Sequence, residues 1–345
     1  AKETVKEFQK MGILLPEKSH EDDETINSVS PALLESSESN SQTAVWGKDW
    51  ELDFINLEED TVSKADTKKY LDMILEKNNN ELKEMLGVSK FTDSLSSSDT
   101  TGIGLIQYAV SKGSPEALLI SGRAYEGGVI VHEDAIVAAS KYIHAYRLGS
   151  RKAAMYLMQL IQTEGFFDHL KSEVEKENPD ANYVWAGLVA LGLDYQLTDE
   201  QALDLLEKGV EQNHIYSIIE TGLCYYSGTL VKEDKEKAME YWAMAEKLGS
   251  LEAKVRIAFA KIQLGTKDNK YIKILEDASE EGSVSAQAAL AYCYEKGLNI
   301  EQNRAQAANL YRKAAHRGSQ AAFNSLRSMY DQLRPEYEEF QIYDE

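Results

Sequence analysis

The chain has few of the residues that mark disulfide-bonded or membrane-spanning proteins. Its 345 residues include only two cysteines and five prolines, and no apolar run approaches the roughly 20 residues that cross a bilayer. We therefore expect no integral membrane segment. The scarcity of cysteine favours a reducing compartment, with the cytoplasm preferred. An organelle stays an alternative, because the chain begins with Ala1 rather than Met, as a chain does after a leader is removed.

The residue patterns of common catalytic and metal sites are also missing. The sequence contains no Cys-x-x-Cys or His-x-x-x-His pair, no Gly-x-Ser-x-Gly elbow and no Walker-type phosphate loop. Acidic residues are plentiful, but in so acidic a chain paired carboxylates arise by chance. We predict no catalytic residue, no metal site and no cofactor, and hence a protein that is not an enzyme.

Positive charge is scarce, because 37 Lys and Arg stand against 58 Asp and Glu, which leaves a net charge of −21. Nucleic-acid binding needs clustered basic side chains opposite the phosphates, so we predict no nucleic-acid partner. A basic protein or peptide would complement the acidic surface. The alternative is that the acidity only keeps a long surface soluble.

What the chain has in abundance is one motif, Ala-x-x-x-Gly-Ser, followed by a small residue. We call its glycine position the mark, and it recurs about every 36 residues. The marks are Gly113, Gly149, Asn213 (a degenerate copy), Gly249, Gly282 and Gly318, with a hidden mark at Glu177. A repeat of this period indicates a solenoid of stacked helical hairpins.

Each repeat predicts two helices, which we call helix A and helix B. Helix A follows the mark and carries a small residue nine positions later, as at Gly122 and Gly222, where another helix can approach closely. Helix B carries a large side chain seven positions before the next mark, as at Tyr142 and Trp242. Short polar residues that cap free N–H groups precede helix B at Asp134, Thr198, Asp234 and Asn303.

The two cysteines occupy the same position in repeats that are two steps apart. Stacked helices lie roughly 8–10 Å apart, so this separation exceeds the roughly 7 Å between Cα atoms that a disulfide can bridge. We expect Cys224 and Cys293 to be buried, unpaired packing residues.

The full pattern, Ala…Gly-x-x-Tyr…Gly…Asp-x-x-x-Ala…Trp/Tyr-x-x-Ala-x-x-x-Gly, resembles the Sel-one-like repeat, a relative of the tetratricopeptide repeat. The resemblance covers about residues 102–332. It is weakest at 149–177, where the unit is shorter and lacks the helix B pattern. It implies an all-α superhelical solenoid of about six helical hairpins. It also implies a scaffold, because similar proteins act in complex assembly, quality control and signalling, and membrane-associated complexes are among their partners.

Composition divides the chain into four parts. We predict a flexible acidic arm at 1–64, N-terminal capping helices at 65–112, the solenoid at 113–333 and an acidic aromatic tail at 334–345.

An aromatic segment at 44–60 of the arm sets Trp46, Trp50 and Phe54 among acidic residues. Aromatic anchors carry much of the binding energy of interfaces, so this segment is a candidate docking motif. The alternative, with equal weight, is that it folds back onto the solenoid.

Positions 6, 10 and 13 after each mark form one stripe along helix A. In stacked hairpins the helix A row lines the concave face, and here the stripe is apolar where a solvent-facing helix would be polar. The predicted partner-binding residues of the stripe are Tyr183, Ile219, Leu223, Tyr226, Val255, Phe259, Ile262 and Tyr292. An exposed apolar patch marks a binding groove. The alternative is that these residues pack between repeats.

These features together predict a non-enzymatic scaffold or adaptor. It would bind a protein or peptide partner on the concave helix A face and support the assembly or quality control of a protein complex. A regulatory subunit that activates a catalytic partner is the alternative, and a true enzyme ranks third.

Overall fold

The computed structural model describes residues 64–77, 81–82, 85–86, 102–129 and 131–331. The predicted docking residues Trp46, Trp50 and Phe54 lie outside these ranges, and so does the tail at 334–345. Every structural statement below refers to the described residues.

Fifteen α-helices and no β-strand make up the described residues, which confirms the predicted all-α solenoid. In chain order the helices are α1 (Lys64–Leu75), α2 (Gly102–Ser111), α3 (Pro115–Gly127), α4 (Ala135–Arg147), α5 (Arg151–Ile161), α6 (Phe166–Glu175), α7 (Pro179–Ala190), α8 (Asp199–Glu211), α9 (Ile215–Ser227), α10 (Lys235–Lys247), α11 (Leu251–Gln263), α12 (Asn269–Glu280), α13 (Val284–Lys296), α14 (Arg304–His316) and α15 (Gln320–Asp331). From α3 onward, the odd-numbered helices are A helices and the even-numbered ones are B helices.

The marks are the turns that lead from helix B into helix A. The backbone φ is positive at all seven, with 72° at Gly113, 98° at Gly149, 60° at Glu177, 58° at Asn213, 92° at Gly249, 88° at Gly282 and 90° at Gly318. Residues other than glycine rarely adopt this conformation. The positive φ at Glu177 and Asn213 therefore confirms the hidden mark and the degenerate one.

The residue after the mark caps the next helix A with its side chain at every mark except Asn213, where His214 makes no such hydrogen bond. The side chain of Ser114 accepts a hydrogen bond from the N–H of Ala117, and Asn178 caps α7 in the same way after the hidden mark. The same serine cap recurs at Ser150, Ser250, Ser283 and Ser319. The predicted helix B caps are also confirmed at Asp134, Thr198, Asp234 and Asn303.

Helix A and helix B of one repeat meet through a small residue on A and a large side chain on B. A Cβ atom added to Gly122 would lie 2.4 Å from Cε1 of Tyr142, and one added to Gly222 would lie 2.3 Å from Nε1 of Trp242. No real side chain tolerates such distances, so the glycines are required by packing. The Trp242 indole also donates a hydrogen bond to the carbonyl of Ile219.

The start of the array has its own apolar cluster. Leu71 and Ile74 of α1, together with Leu82 and Leu86, pack with Leu105 and other residues of α2 and α3. This packing places α1 and α2 against the first repeat, and their role as a cap stays a prediction.

The unit at 149–177 departs from the regular hairpin, as its weak repeat pattern predicts. Here α5 and α6 are short and pack little against each other, while α4 packs directly against α7. A Cβ atom on Gly187 would lie 3.3 Å from the side chain of Ile143. Because this unit is short, helix B of the first repeat (α4) packs against helix A of the third (α7).

Distant repeats touch at their marks, so the array closes on itself. Lys112 and Glu281 form an ion pair with an N–O distance of 2.6 Å across 169 residues of sequence. Ser150 and Ser319 form an isolated bridge over the same separation, and the Gln320 N–H donates to the carbonyl of Gly149. The turns before the first and second repeats therefore contact the turns before the last two A helices.

We expect Gly222→Ala to lower the free energy of unfolding by about 1–3 kcal/mol, although alanine is the better helix former. The cause is the contact between the new Cβ and Trp242, and urea unfolding followed by circular dichroism measures it. The double variant Gly222→Ala/Trp242→Leu should lose less than the sum of its single changes. Strict additivity would contradict the assigned helix contact.

Candidate protein-binding site

The structure buries all eight residues of the predicted stripe. Their exposed fractions lie between 1% and 8%, for Tyr183, Ile219, Leu223, Tyr226, Val255, Phe259, Ile262 and Tyr292. The expectation of an open apolar groove at these positions is therefore wrong for this structure. Their role as partner contacts stays a prediction, and it requires the residues that cover them to move.

Helix α4 supplies part of that cover. Ile143 packs on Gly187, which occupies a stripe position of α7. The C-terminal half of α4 then reaches α9 and α11 through charged side chains. The sequence pattern missed this arrangement because it assumes that consecutive repeats stack with a constant rotation.

A buried ion pair and a buried histidine–carboxylate contact join α4 to these later helices. The guanidinium of Arg147 binds the carboxylate of Glu220 through two hydrogen bonds, one with an N–O distance of 3.1 Å, and the side chains are only 6% and 1% exposed. Nε2 of His144 lies 2.7 Å from Oε2 of Glu252, and Arg256 binds the other oxygen of the same carboxylate. Removing one partner from such a pair leaves a buried charge without compensation.

The Glu252 carboxyl has a strongly shifted pKa. Burial alone would raise it, but the charges of Arg256 and His144 and their hydrogen bonds outweigh burial and lower the pKa from 4.5 to about 2. Glu252 therefore stabilises the fold as a carboxylate.

The side chains of Ser217, His214 and Asp180 contact one another in the order of a possible catalytic triad. Oγ of Ser217 is 2.8 Å from Nδ1 of His214, and Nε2 of His214 is 3.6 Å from Oδ1 of Asp180. Ser217, however, is completely buried, and its Oγ would lie 2.2 Å from a Cβ atom added to Gly209. A nucleophile must reach its substrate, so this cluster is helix packing around a mark. The described residues also hold no group of His, Cys, Asp and Glu side chains suited to a metal ion.

A large concavity among the described residues lies between α12 and α14, with α13 as its floor. We call it the α12–α14 groove, and its volume is about 1160 Å³. Its apolar lining includes Ile272, Leu290, Tyr294, Ile300 and Leu310, and its charged lining includes Glu276, Asp277, Glu280, Lys273 and Lys313. Most of the other lining residues are polar or charged, which distinguishes this groove from the mainly apolar pockets that hold small molecules.

Gln287 is the unusual residue of this groove. Its side chain is only 8% exposed, and Oε1 has no hydrogen-bond partner among the described residues. A buried acceptor left unpaired costs about 1–3 kcal/mol. The equivalent position, five after the mark, holds Leu118 and Ile218 in other repeats, and both are buried there. Asn182 and Lys254 occupy the same position in two further repeats, so a polar residue there did not single out the groove from the sequence.

The sequence profile of the Sel1 repeat family matches residues 215–250 and 284–319. The chain contains Sel1 repeats. The first matched segment holds α9 and α10, and the second holds α13 and α14, so one Sel1 repeat supplies the floor and one wall of the α12–α14 groove. The resemblance drawn from the repeat motif is thereby confirmed.

Two curated relatives are similar to part of the chain. DAP3-binding cell death enhancer 1 of Mus musculus is 28% identical over 106 residues, and the protein of the same name from Rattus norvegicus is 26% identical over 106 residues. Each alignment covers 30% of this chain and 21% of the relative, so the similarity spans about a fifth of the relatives' length.

Two solved structures are also similar. The Sel1 repeat protein of Oxalobacter formigenes is 20% identical, with 66% of this chain and 80% of that chain covered and a TM-score of 0.42. The antigen c5321 of uropathogenic Escherichia coli, which displays an SLR fold, is 20% identical, with coverages of 79% and 61% and a TM-score of 0.43.

Sel1 repeat proteins generally mediate interactions between proteins. Two further findings bear on this chain: Cys224 and Cys293 are buried and form no disulfide, as predicted, and none of the described helices has the length and apolarity that a membrane span requires.

We expect Arg147→Met to lower the free energy of unfolding by about 3–5 kcal/mol, because it leaves the Glu220 carboxylate buried and unpaired. The double variant Arg147→Met/Glu220→Leu should recover much of that loss, since neither charge then remains. Urea unfolding of the two single variants and the double variant measures the coupling. Losses that simply add would show that the pair does not act as a unit.

We expect the stability advantage of the wild type over Glu252→Gln to depend on pH. The advantage should be complete above the ordinary carboxyl pKa of 4.5 and should shrink as pH falls towards the folded-state pKa of about 2, because the unfolded chain takes up the proton first. Unfolding at about pH 7 and about pH 3 measures it. The control, Glu246→Gln on the exposed face of α10, should show no such change; a constant difference for Glu252→Gln would refute the pairing.

Proposed function

We propose that this protein is a non-enzymatic adaptor that binds a protein partner in the α12–α14 groove and supports the assembly or quality control of a protein complex. The observation that carries the proposal is the groove itself, which combines apolar side chains with the unpaired Oε1 of Gln287 and whose floor and one wall belong to a matched Sel1 repeat.

The interaction role of Sel1 repeats supports a protein partner over a small molecule. The name of the mouse relative states that it binds the protein DAP3, which supports the same class of partner. Because the similarity spans about a fifth of that relative, DAP3 itself is not carried over to this chain.

The geometry of the groove also favours a peptide. The two helical walls, α12 and α14, are both B helices and run in the same direction, and most of the charged lining is more exposed than the apolar lining. A helix or an extended segment laid between the walls would bury its apolar side chains against Leu290 and Leu310. The exposed charges would then set its orientation.

The test is affinity capture with the full chain as bait, compared with Leu310→Arg and with Met244→Arg. Leu310 lines the groove, whereas Met244 is an exposed apolar residue of α10 outside it. We expect at least one partner to be captured by the wild type and Met244→Arg and lost with Leu310→Arg. Capture that is equal in all three would place the partner elsewhere and overturn the proposal.

The identity of a captured partner separates the two functions considered. An enzyme whose turnover changes when the chain binds would establish the regulatory subunit in place of the assembly adaptor. Turnover of a substrate by the purified chain alone would overturn both.

A further inference from the structure

The amide of Gln287 has one possible orientation. Its Nε2 donates to the carbonyl oxygen of Ser279 at 3.4 Å, and reversing the amide would set two oxygens against each other. Oε1 is therefore turned away from Ser279 and is left as a buried, unpaired acceptor on a residue that lines the groove. Only a hydrogen-bond donor can satisfy it.

Three carboxylates lie on one wall of the groove that Gln287 lines. Glu276, Asp277 and Glu280 of α12 line the same groove, and Ser279 and Glu280 belong to the last turn of α12, where the helix dipole is negative. These groups favour a donor that is also a cation.

Basic residues line the groove as well: on the same wall Lys270 pairs with Asp268 and Lys273 is exposed, and the opposite wall carries Lys313, His316 and Arg317. The guanidinium of Arg317 is already bound to the Glu116 carboxylate and to the carbonyls of Gly282 and Leu86. Burial and the neighbouring Arg312 lower the pKa of His316, so its ring is neutral at physiological pH. Lys313 is exposed and can turn its ammonium group into solvent.

We propose that the α12–α14 groove recognises a lysine or arginine side chain of the partner peptide, with Oε1 of Gln287 accepting a hydrogen bond from its ammonium or guanidinium group. Glu276 and Glu280 balance the charge, and the apolar floor takes the neighbouring residues of the peptide. This inference rests on the proposed function, because it assigns the chemistry of the partner that the groove binds. The acidic chain, with its net charge of −21, attracts such a partner from a distance.

The substitution Gln287→Leu isolates the role of the acceptor. Leucine is the residue that Leu118 provides at the same position of the first repeat, so the variant suits the fold. The matched control is Asn182→Leu, because Asn182 stands five residues after its own mark, is buried, and also has unpaired amide atoms, but does not line the groove.

The probes are four pools of short fluorescein-labelled peptides that differ only in one fixed central residue: arginine, lysine, norleucine or glutamate. Binding is measured by fluorescence anisotropy with the full chain. We expect the arginine and lysine pools to bind about tenfold more tightly than the norleucine and glutamate pools, since a charge-assisted hydrogen bond is gained. Gln287→Leu should remove that difference, and Asn182→Leu should keep it.

The outcomes separate this inference from the proposed function. If all four pools bind equally and Leu310→Arg abolishes binding, the groove binds peptides but does not select a basic residue, and the inference fails alone. If the basic pools bind but Leu310→Arg leaves their affinity unchanged, the site lies elsewhere and both proposals fail. Selectivity that survives in Gln287→Leu overturns the assigned role of Gln287.

Discussion

A serine hydroxyl that accepts a hydrogen bond from the peptide N–H three residues later starts most of the A helices, and it does so directly after a residue with positive φ. The residue with positive φ ends one helix, and the serine after it begins the next. The connection between the two helices therefore takes only two residues. The alanine that donates to the cap is small enough to sit at the helix contact. Helix direction, spacing and close packing in each repeat all depend on this local arrangement.

The short unit at 149–177 shows what happens when the regular arrangement is interrupted. With α5 and α6 reduced, α4 is free to pack on α7 and to extend Arg147 and His144 to α9 and α11. Burying these charges is costly unless each is paired, and each has a specific carboxylate opposite it. The pairs thus select one position of α4 among the many that apolar contacts alone would permit.

Much of the fold could be predicted from the sequence because its signals are local. The marks, the caps and the Gly222–Trp242 contact depend on residues that lie close together in sequence, and even the hidden mark at Glu177 was found from spacing. The stripe was wrongly predicted to be exposed because its burial depends partly on α4. The position of α4 follows from the shortened unit at 149–177 rather than from any motif. Gln287 was missed for the opposite reason: a glutamine on a helix resembles a surface residue until its neighbours are known.

The contacts across 169 residues change what kind of repeat protein this is. In an open solenoid each repeat touches only its neighbours, and stability is a sum of local terms. Here the first and last repeats hold each other, so the ends cannot fray independently. Such long-range contacts raise the contact order and slow folding, since a large loop must close before they form. The array should therefore unfold as one cooperative unit, and removing its last hairpin should destabilise its first repeat.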